Sequence, residues 1–250
     1  MIEINNLSVR LSNKKVLDNI SFRVEKGDFL LVIGKNGAGK TTLLKTISHQ
    51  IRNFQGKVLL DNKDIKEYSQ KEIAKRISFI SQIHYFTMPI SVREVILSGR
   101  YPYKGIFKDY GSDDFELLKK VSKRFGVTEF LERDINSLSS GEMKRVLLSS
   151  SYIQDIDILI LDEPFTFLDP SSIVNLINLI TELNNEGKTI IIVSHNFEMI
   201  FNKAKKVLAL SKGKKVYYGE INDISLFERI YNVKYGYFEK DNKKVLFIDD

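Results

Sequence analysis

The sequence contains no cysteine and no long apolar run, and each absence excludes a class of protein. Without cysteine among its 250 residues, the chain has no disulfide, no thiolate nucleophile and no cysteine-ligated zinc site. No segment reaches the roughly 18 apolar residues that a bilayer-spanning helix needs. The longest apolar runs, such as Phe29–Ile33, have the length of strands. The first ten residues lack a basic stretch followed by an apolar one, so we expect no secretion signal.

Long runs of like charge are also missing from the sequence, although the formal net charge is +6. Lysines and acids interleave along much of the chain, and the densest basic stretch, Lys203 to Lys215, alternates with apolar residues as exposed strands do. This pattern favours a solvated face over a nucleic-acid surface, and we expect no nucleic-acid partner.

The apolar pattern predicts an α/β fold. Alternating apolar residues predict short strands over the first 26 residues. Three continuous apolar runs predict strands that are buried on both faces, and helical patterns lie between them: Phe29–Ile33, Ile158–Leu161 and Thr189–Val193. Buried strands that alternate with helices indicate a parallel sheet. We expect residues 1–250 to form one domain, with a mostly helical insertion from about residue 84 to residue 153.

Weaker patterns predict the remaining elements. These are a turn at Gln55-Gly56, strands Lys57–Leu60 and Ile77–Ile80, helices Lys71–Arg76 and Ser171–Asn185, strands Lys206–Leu210 and Lys214–Tyr218, a helix over Leu226–Tyr231 and a last hairpin.

A glycine-rich segment follows the first buried strand and fits the pattern G-x-x-x-x-G-K-[ST]. Its glycines let backbone N–H groups point at phosphate oxygens, and the helix that follows adds its positive end. Lys40 is predicted to reach the β- and γ-phosphates, and the Thr41 hydroxyl to ligate Mg²⁺. The predicted nucleotide-binding residues of this segment are Gly34, Asn36, Gly37, Ala38, Gly39, Lys40, Thr41 and Thr42.

An acidic pair ends the second buried strand. Asp162 is predicted to hold Mg²⁺, directly or through water, and Glu163 to polarise the attacking water as a general base. Taken alone, the pair fits a strand that stops at an acidic turn before Pro164 equally well. The phosphate loop upstream favours the catalytic interpretation.

Three further features carry chemistry only in combination. The segment Leu138-Ser139-Ser140-Gly141-Glu142 opens a helix, with Ser139 as the predicted N-cap and Gly141 permitting close approach of a ligand. Alone, this segment is an ordinary helix start. Alone, Gln82 is a surface amide and His195 a structural histidine.

Together these motifs resemble the ATP-binding cassette (ABC) ATPases in order and spacing, over essentially the whole chain. The resemblance implies a phosphate-loop core with a parallel sheet, an antiparallel β subdomain on the N-terminal side and an inserted helical subdomain. It implies hydrolysis of ATP to ADP and phosphate with Mg²⁺. It also implies that Gln82 contacts the Mg²⁺ and the water, and that His195 contacts the γ-phosphate.

The resemblance further implies a head-to-tail dimer with a second copy of the chain. Each ATP then lies between the phosphate loop of one copy and the Ser139 helix of the other. Ser139 and Gly141 touch the γ-phosphate, Glu142 lies near it, and Asp169 lies at the dimer seam.

The sequence departs from the family pattern in two places. Leu11 stands where the family usually has an aromatic side chain that stacks on adenine, so apolar contact survives without ring stacking. Ser140 and Glu142 replace the usual Gly and Gln. The added negative charge is expected to be tolerated, because the helix N-terminus and the Ser139 hydroxyl make the phosphate contact.

Three tasks are open to such an ATPase: driving a membrane importer, acting on ribosomes or DNA, or assembling a cofactor. Three segments resemble the importers of iron–siderophore, haem and cobalamin: Ser69–Ile77, Ser91–Tyr103 and Leu226–Val233. That resemblance implies membrane permease subunits as partners, a separate substrate-binding protein acting indirectly, and a place on the cytoplasmic face of the cell membrane.

Overall fold

A computed structural model of the chain describes residues 1–82, 86–104, 109–221, 225–240 and 243–249. The Cα positions group into two compact units. The first joins residues 1–67 to residues 189–250, and the second comprises residues 68–188. The predicted start of the helical insertion, near residue 84, lies outside the described residues. The assignment of residues 1–250 to one domain stays a prediction.

The described residues contain twelve strands and seven α-helices, with short 3₁₀ segments between them. The strands are β1 Ile2–Leu11, β2 Lys14–Val24, β3 Phe29–Ile33, β4 Gln55–Leu60, β5 Lys63–Asp64, β6 Ile77–Ile80, β7 Ile158–Asp162, β8 Thr189–Val193, β9 Lys206–Ser211, β10 Lys214–Glu220, β11 Lys234–Lys240 and β12 Lys243–Asp249. The helices are α1 Lys40–Ile47, α2 Gln70–Ala74, α3 Val92–Ser98, α4 Ser112–Arg124, α5 Ser140–Ile153, α6 Pro170–Asn185 and α7 Ser225–Tyr231. No helix among the described residues is both long enough and apolar enough to cross a bilayer.

An antiparallel sheet with the order β2-β1-β4-β5 forms the N-terminal part of the first unit, as predicted. The expected turn at Gln55-Gly56 is wrong, because both residues lie within β4 and Gln55 pairs with Ser8 of β1. The β1–β4 register shifts between Asn5 and Ser8. Gly56 adopts φ +86°, and a Cβ there would lie 2.4 Å from the Asn6 carbonyl oxygen. The glycine therefore serves an irregular strand and not a turn.

The second sheet of this unit is centred on β3, which pairs in parallel with both β8 and β9. All five residues of β3 and of β8 are buried, as their continuous apolar sequences predicted. The edge strand β10 pairs antiparallel with β9. Because β3 and β8 run in the same direction, with Val32 opposite Val193, the segments that follow them emerge at the same sheet edge.

The second unit contains the parallel pair β6–β7 and helices α2 to α6. Three of these helices begin with the sequence S-x-x-E, and each closes a capping box in which serine and glutamate satisfy each other's backbone N–H groups. The pairs are Ser69 with Glu72, Ser91 with Glu94, and Ser139 with Glu142. Helix α5 packs against α3, α4 and α6. Helices α3, α4 and α5 lie between about residue 84 and residue 153, where the sequence predicted a mostly helical insertion.

Candidate nucleotide-binding and catalytic site

The phosphate loop connects β3 to α1 in the first unit. Gly39 is the N-cap of α1 and adopts φ +100°, so no side chain stands before the first helical N–H groups. A Cβ at Gly34 would lie 2.4 Å from the Leu210 carbonyl oxygen, which excludes any larger residue there. Asn36, Gly37 and Thr41 are exposed. The loop therefore has the open, backbone-lined form that an anion needs.

Lys40 is buried at the base of this loop, with 8% of its surface exposed. Its Nζ donates to the Gly34 carbonyl oxygen at 2.7 Å and to the Lys35 carbonyl oxygen at 3.3 Å. The ammonium is thus held inside the loop by neutral acceptors. Exchanging one of them for a phosphate oxygen would give a stronger, charge-assisted hydrogen bond.

His195 emerges from β8 at the same sheet edge as the phosphate loop. Its side chain is exposed, while the preceding Ser194 is buried and accepts a hydrogen bond from the Asn196 N–H at 3.0 Å. The next residue, Phe197, is 1% exposed and stacks on Phe227, with ring centroids 4.5 Å apart. Stacked, buried aromatic rings therefore anchor the segment that carries the exposed His195.

Tyr231 of α7 links the two parts of this edge. Its ring stacks on Phe197 with centroids 5.3 Å apart, and its hydroxyl accepts a hydrogen bond from the Gly34 N–H at 3.3 Å. The C-terminal helix thus contacts both the first residue of the phosphate loop and the segment that carries His195.

The acidic pair lies in the second unit, at the end of β7. Because Ile80 of β6 is opposite Leu161 of β7 in a parallel pair, Gln82 and the acids follow strand ends at a common edge. Gln82 is exposed, and Glu163 is 9% exposed. Glu163 adopts φ +50°, a region that costs a non-glycine residue about 1–3 kcal/mol and that recurs at functional sites.

Asp162 has the chemistry of a Mg²⁺ ligand. The residue is 4% exposed, and its Oδ1 is buried without a hydrogen-bond partner among the described residues. A buried carboxylate oxygen that lacks a donor is costly unless a cation meets it. No cluster of three or more His, Asp or Glu side chains forms in the part of the chain that the structure describes. Mg²⁺ is compatible with so few protein ligands, because it usually takes one or two carboxylates and completes its coordination shell with water and phosphate.

Lys144 of α5 lies close to this edge. It is 7% exposed, and its Nζ donates to the carbonyl oxygens of Ser81, at 3.2 Å, and Gln82, at 3.1 Å. Burial lowers the pKa of Lys144 to about 8, an effect that the nearby charge of Asp162 opposes. The backbone of Gln82 is therefore attached to α5 by a buried ammonium.

The Ser139 segment forms the N-terminus of α5. Ser139 Oγ accepts from the Glu142 N–H at 3.3 Å, and the Glu142 carboxylate accepts from the Ser139 N–H at 2.8 Å. The Ser139 N–H and hydroxyl together hold the pKa of Glu142 below its usual range. A Cβ at Gly141 would lie 2.8 Å from Ser172 Oγ, so this glycine permits close packing of α5 on α6. Its predicted contact with a ligand stays a prediction.

Asp169 is the N-cap of α6. Its carboxylate accepts hydrogen bonds from the Ser171 N–H at 2.9 Å and the Ser172 N–H at 3.0 Å, and from both serine hydroxyls. Hydrogen bonding, led by the Ser171 hydroxyl, holds the pKa of Asp169 well below its usual range. The residue is thus an ionised helix cap whose predicted place at a dimer seam stays a prediction.

Comparison with known families identifies the arrangement. The family model described as "ABC transporter" matches residues 17–166, which is more than half of the chain. The chain belongs to this family. It is an ATP-binding cassette that hydrolyses ATP, and the fold and reaction expected from its motifs are confirmed.

Two curated relatives resemble this cassette over most of their length. The ferric enterobactin transport ATP-binding protein FepC of Escherichia coli K12 is 35% identical over 223 residues, covering 88% of this chain and 82% of the relative. The petrobactin import ATP-binding protein FpuD of Bacillus anthracis is 31% identical over 217 residues, covering 86% and 79%. A solved structure described as an inward-facing conformation of a metal-chelate type ABC transporter shares the fold, with a TM-score of 0.85 at 22% identity and coverage of 99% and 96%.

The structure adds two residues that sequence reasoning missed. Lys144 contacts the backbone of Gln82, and Tyr231 contacts the backbone of Gly34. Lys144 carried a weak signal, because a charge falls on the buried face of a helix. Tyr231 carried none, because its partner is 197 residues away in sequence.

Proposed function

We propose that this cassette is the ATP-hydrolysing subunit of an import system for a metal chelate of the ferric siderophore class. The observation that carries the proposal is the 35% identity to a ferric enterobactin transport ATP-binding protein across 88% of the chain. Three segments that resemble this importer group, Ser69–Ile77, Ser91–Tyr103 and Leu226–Val233, support it from different parts of the sequence.

The phosphate loop would bind the nucleotide, with Lys40 on the β- and γ-phosphates. Thr41 and Asp162 would hold Mg²⁺, which shields the charge of the phosphates when bound. The buried and unpartnered Oδ1 of Asp162 supports that assignment. Gln82 would contact the same ion and the attacking water.

Glu163 would act as the general base, accepting a proton from water as its oxygen attacks the γ-phosphate in line with the leaving ADP. Burial of this carboxylate at the end of β7 would shield it, and the attacking water molecule that it binds, from bulk solvent. His195 would stabilise the charge that develops on the γ-phosphate. The products are ADP and inorganic phosphate.

A second copy of the chain would complete each site. Ser139 and Gly141 at the N-terminus of α5 would contact the γ-phosphate of an ATP held by the phosphate loop of the other copy, using the positive end of the helix. Glu142 would act chiefly as the cap of that helix. Its carboxylate already accepts the Ser139 N–H, so a negative charge there is compatible with nearby phosphate.

The working complex would place two cassettes against membrane permease subunits on the cytoplasmic face of the membrane. ATP-driven closure of the pair would move the helical subdomain and, through it, a helix of the permease. A separate substrate-binding protein would deliver the chelate, so cargo choice would lie outside this chain.

Reconstitution tests the proposal. The chain is co-purified with siderophore-permease subunits of the same organism and placed in lipid discs. ATP hydrolysis is then assayed with the matching binding protein, loaded with a ferric siderophore or empty. We expect the loaded binding protein to raise the rate several-fold over the empty one. Stimulation by zinc or another cargo alone would contradict the siderophore assignment. A rate indifferent to the permease but raised by ribosomes or nucleic acid would contradict import altogether.

A further inference from the structure

Lys144 is a buried lysine whose ammonium meets only neutral partners among the described residues. Its Nζ donates to the carbonyl oxygens of Ser81 and Gln82, and no carboxylate of the described chain lies in ion-pair range. Lysine is almost never fully buried unless it is paired, since its charge loses hydration. An apolar side chain of similar length would fill the same volume at a lower desolvation cost.

An apolar side chain could not donate to the two carbonyl groups that follow β6. These two carbonyl groups lie just after the end of β6, beyond the backbone pairing that joins β6 to β7. From α5, Lys144 donates a hydrogen bond to each of them. The ammonium therefore has a specific task, which is to hold the backbone at Ser81 and Gln82.

Helix α5 is attached to β6 and its flanks at three levels. Ser151 Oγ lies 2.7 Å from Ser78 Oγ, and the Gln154 amide donates to the Ala74 carbonyl oxygen at the other end of the strand. Lys144 forms the third attachment and is the one that reaches past the strand to Gln82. Lys144 also lies five residues after Ser139, so one short stretch of helix connects both residues.

We propose that Lys144 is a positioning residue for ATP hydrolysis, which fixes the backbone of Gln82 against α5 and so holds the Gln82 side chain at the edge that carries Asp162 and Glu163. This inference rests on the role of Gln82 in the proposed function. Without Lys144, the Gln82 side chain would sample more orientations, and fewer of them would be productive. Nucleotide affinity would change little, because it depends chiefly on the phosphate loop.

Steady-state hydrolysis of Mg·ATP by the full-length chain tests the proposal, using the permease complex if the isolated chain turns over too slowly. We expect Lys144→Met to lower kcat by about tenfold or more while KM for ATP stays within about threefold. Lys144→Arg should recover part of the loss, because a guanidinium still donates. Ser151→Ala is the matched control, since it removes another α5–β6 contact away from Gln82; its kcat should stay within about twofold of the wild-type value.

A double-mutant cycle with Gln82→Ala separates positioning from general loosening of the unit. If Lys144 acts through Gln82, adding Lys144→Met to Gln82→Ala should lower kcat by less than about threefold further. Independent, multiplicative losses would overturn the proposal, as would wild-type kcat in Lys144→Met. If thermal unfolding shows that Lys144→Met is not folded, Lys144→Gln, which donates but is shorter, enters the same cycle under the same criteria.

The Lys144 proposal and the importer proposal can fail independently of each other. Hydrolysis that the permease and a loaded binding protein fail to stimulate would contradict the importer proposal and leave the Lys144 cycle intact. Normal stimulation, together with multiplicative losses in the cycle, would contradict the role of Lys144 alone.

Discussion

At the scale of single residues, Lys40 and Asp162 are the two charged side chains whose burial most needs a functional explanation. Each is more than nine-tenths buried, yet Lys40 donates to neutral carbonyls and Asp162 has a carboxylate oxygen without a donor among the described residues. Burial of charge at this cost is typical of functional sites. A phosphate beside the ammonium and a cation beside the carboxylate would fit the proposed binding of Mg·ATP.

The first residue-scale prediction concerns Lys40. We expect Lys40→Ala to weaken ATP binding by more than about tenfold, because it removes a buried charge from the phosphate loop. Isothermal titration calorimetry with Mg·ATP measures the change. Lys35→Ala is the control, because Lys35 is an exposed lysine of the same loop. This variant should bind ATP as tightly as the wild type. Unchanged affinity in Lys40→Ala would contradict the assignment.

The second residue-scale prediction concerns Tyr231, whose hydroxyl accepts a hydrogen bond from the Gly34 N–H. Tyr231→Phe keeps the ring stacked on Phe197 and removes the hydrogen bond, so stability should change by no more than about 1 kcal/mol. KM for ATP should rise by about two- to threefold, because the first residue of the phosphate loop loses an anchor. Tyr217→Phe is the control. It removes a hydroxyl of β10 that donates to the Glu220 carbonyl oxygen, and it should leave KM unchanged. An equal rise in both variants would argue against a specific role of Tyr231.

At the scale of elements, the sequence predicted those elements that a strong local pattern defines. It did not predict the features that depend on long-range contacts. The continuous apolar runs predicted β3 and β8, and both are fully buried. The S-x-x-E sequence at Ser139 marks the start of α5 through a local capping box. The turn expected at Gln55-Gly56 is wrong, because pairing with β1 outweighs the local preference of glycine.

Of the candidate site, sequence motifs predicted the residues that lie at strand ends and helix starts. They could not predict Lys144 or Tyr231, because their contacts with Gln82 and Gly34 arise only when distant segments fold together. The catalytic and binding roles of the motif residues stay predictions, which the experiments proposed for them test.

One element-scale prediction concerns the start of α4. Asp114 is 6% exposed, accepts a hydrogen bond from the Gly111 N–H at 2.9 Å, and pairs with Arg100 at 3.2 Å and with Lys104. Burial raises the pKa of Asp114, but hydrogen bonds from Lys104, the Gly111 N–H and Arg100 outweigh it, so that the pKa lies below its usual range. The ionised form therefore stabilises the fold, and this stability is lost as the pH falls through the lowered pKa.

We expect Asp114→Asn to reduce the free energy of unfolding by about 2 kcal/mol near neutral pH, because it leaves Arg100 and Lys104 without their carboxylate. The difference from the wild type should shrink at an acidic pH below the lowered pKa, where Asp114 itself becomes protonated. Urea unfolding at both pH values measures it. Asp113→Asn, at the exposed neighbouring position, should show neither effect. A pH-independent difference would contradict the role of the charge.

At the scale of the whole molecule, the proposed hydrolysis of ATP requires two copies of the chain. The phosphate loop and Ser139 each provide backbone N–H groups at a helix N-terminus, which is suited to phosphate oxygens. In the proposed arrangement, which the resemblance to ABC ATPases implies, one ATP contacts the phosphate loop of one copy and the Ser139 helix of the other. ATP binding and dimer formation should therefore be linked.

The variant Glu163→Gln tests both the proposed general base and the link between ATP binding and dimer formation. The purified variant is incubated with Mg·ATP, and its molar mass is measured by light scattering alongside its rate of phosphate release. We predict that it binds ATP, forms a stable pair of chains, and releases phosphate at least about a hundredfold more slowly than the wild type, since it lacks the general base. Turnover near the wild-type rate, or a chain that binds ATP and remains single, would contradict the account.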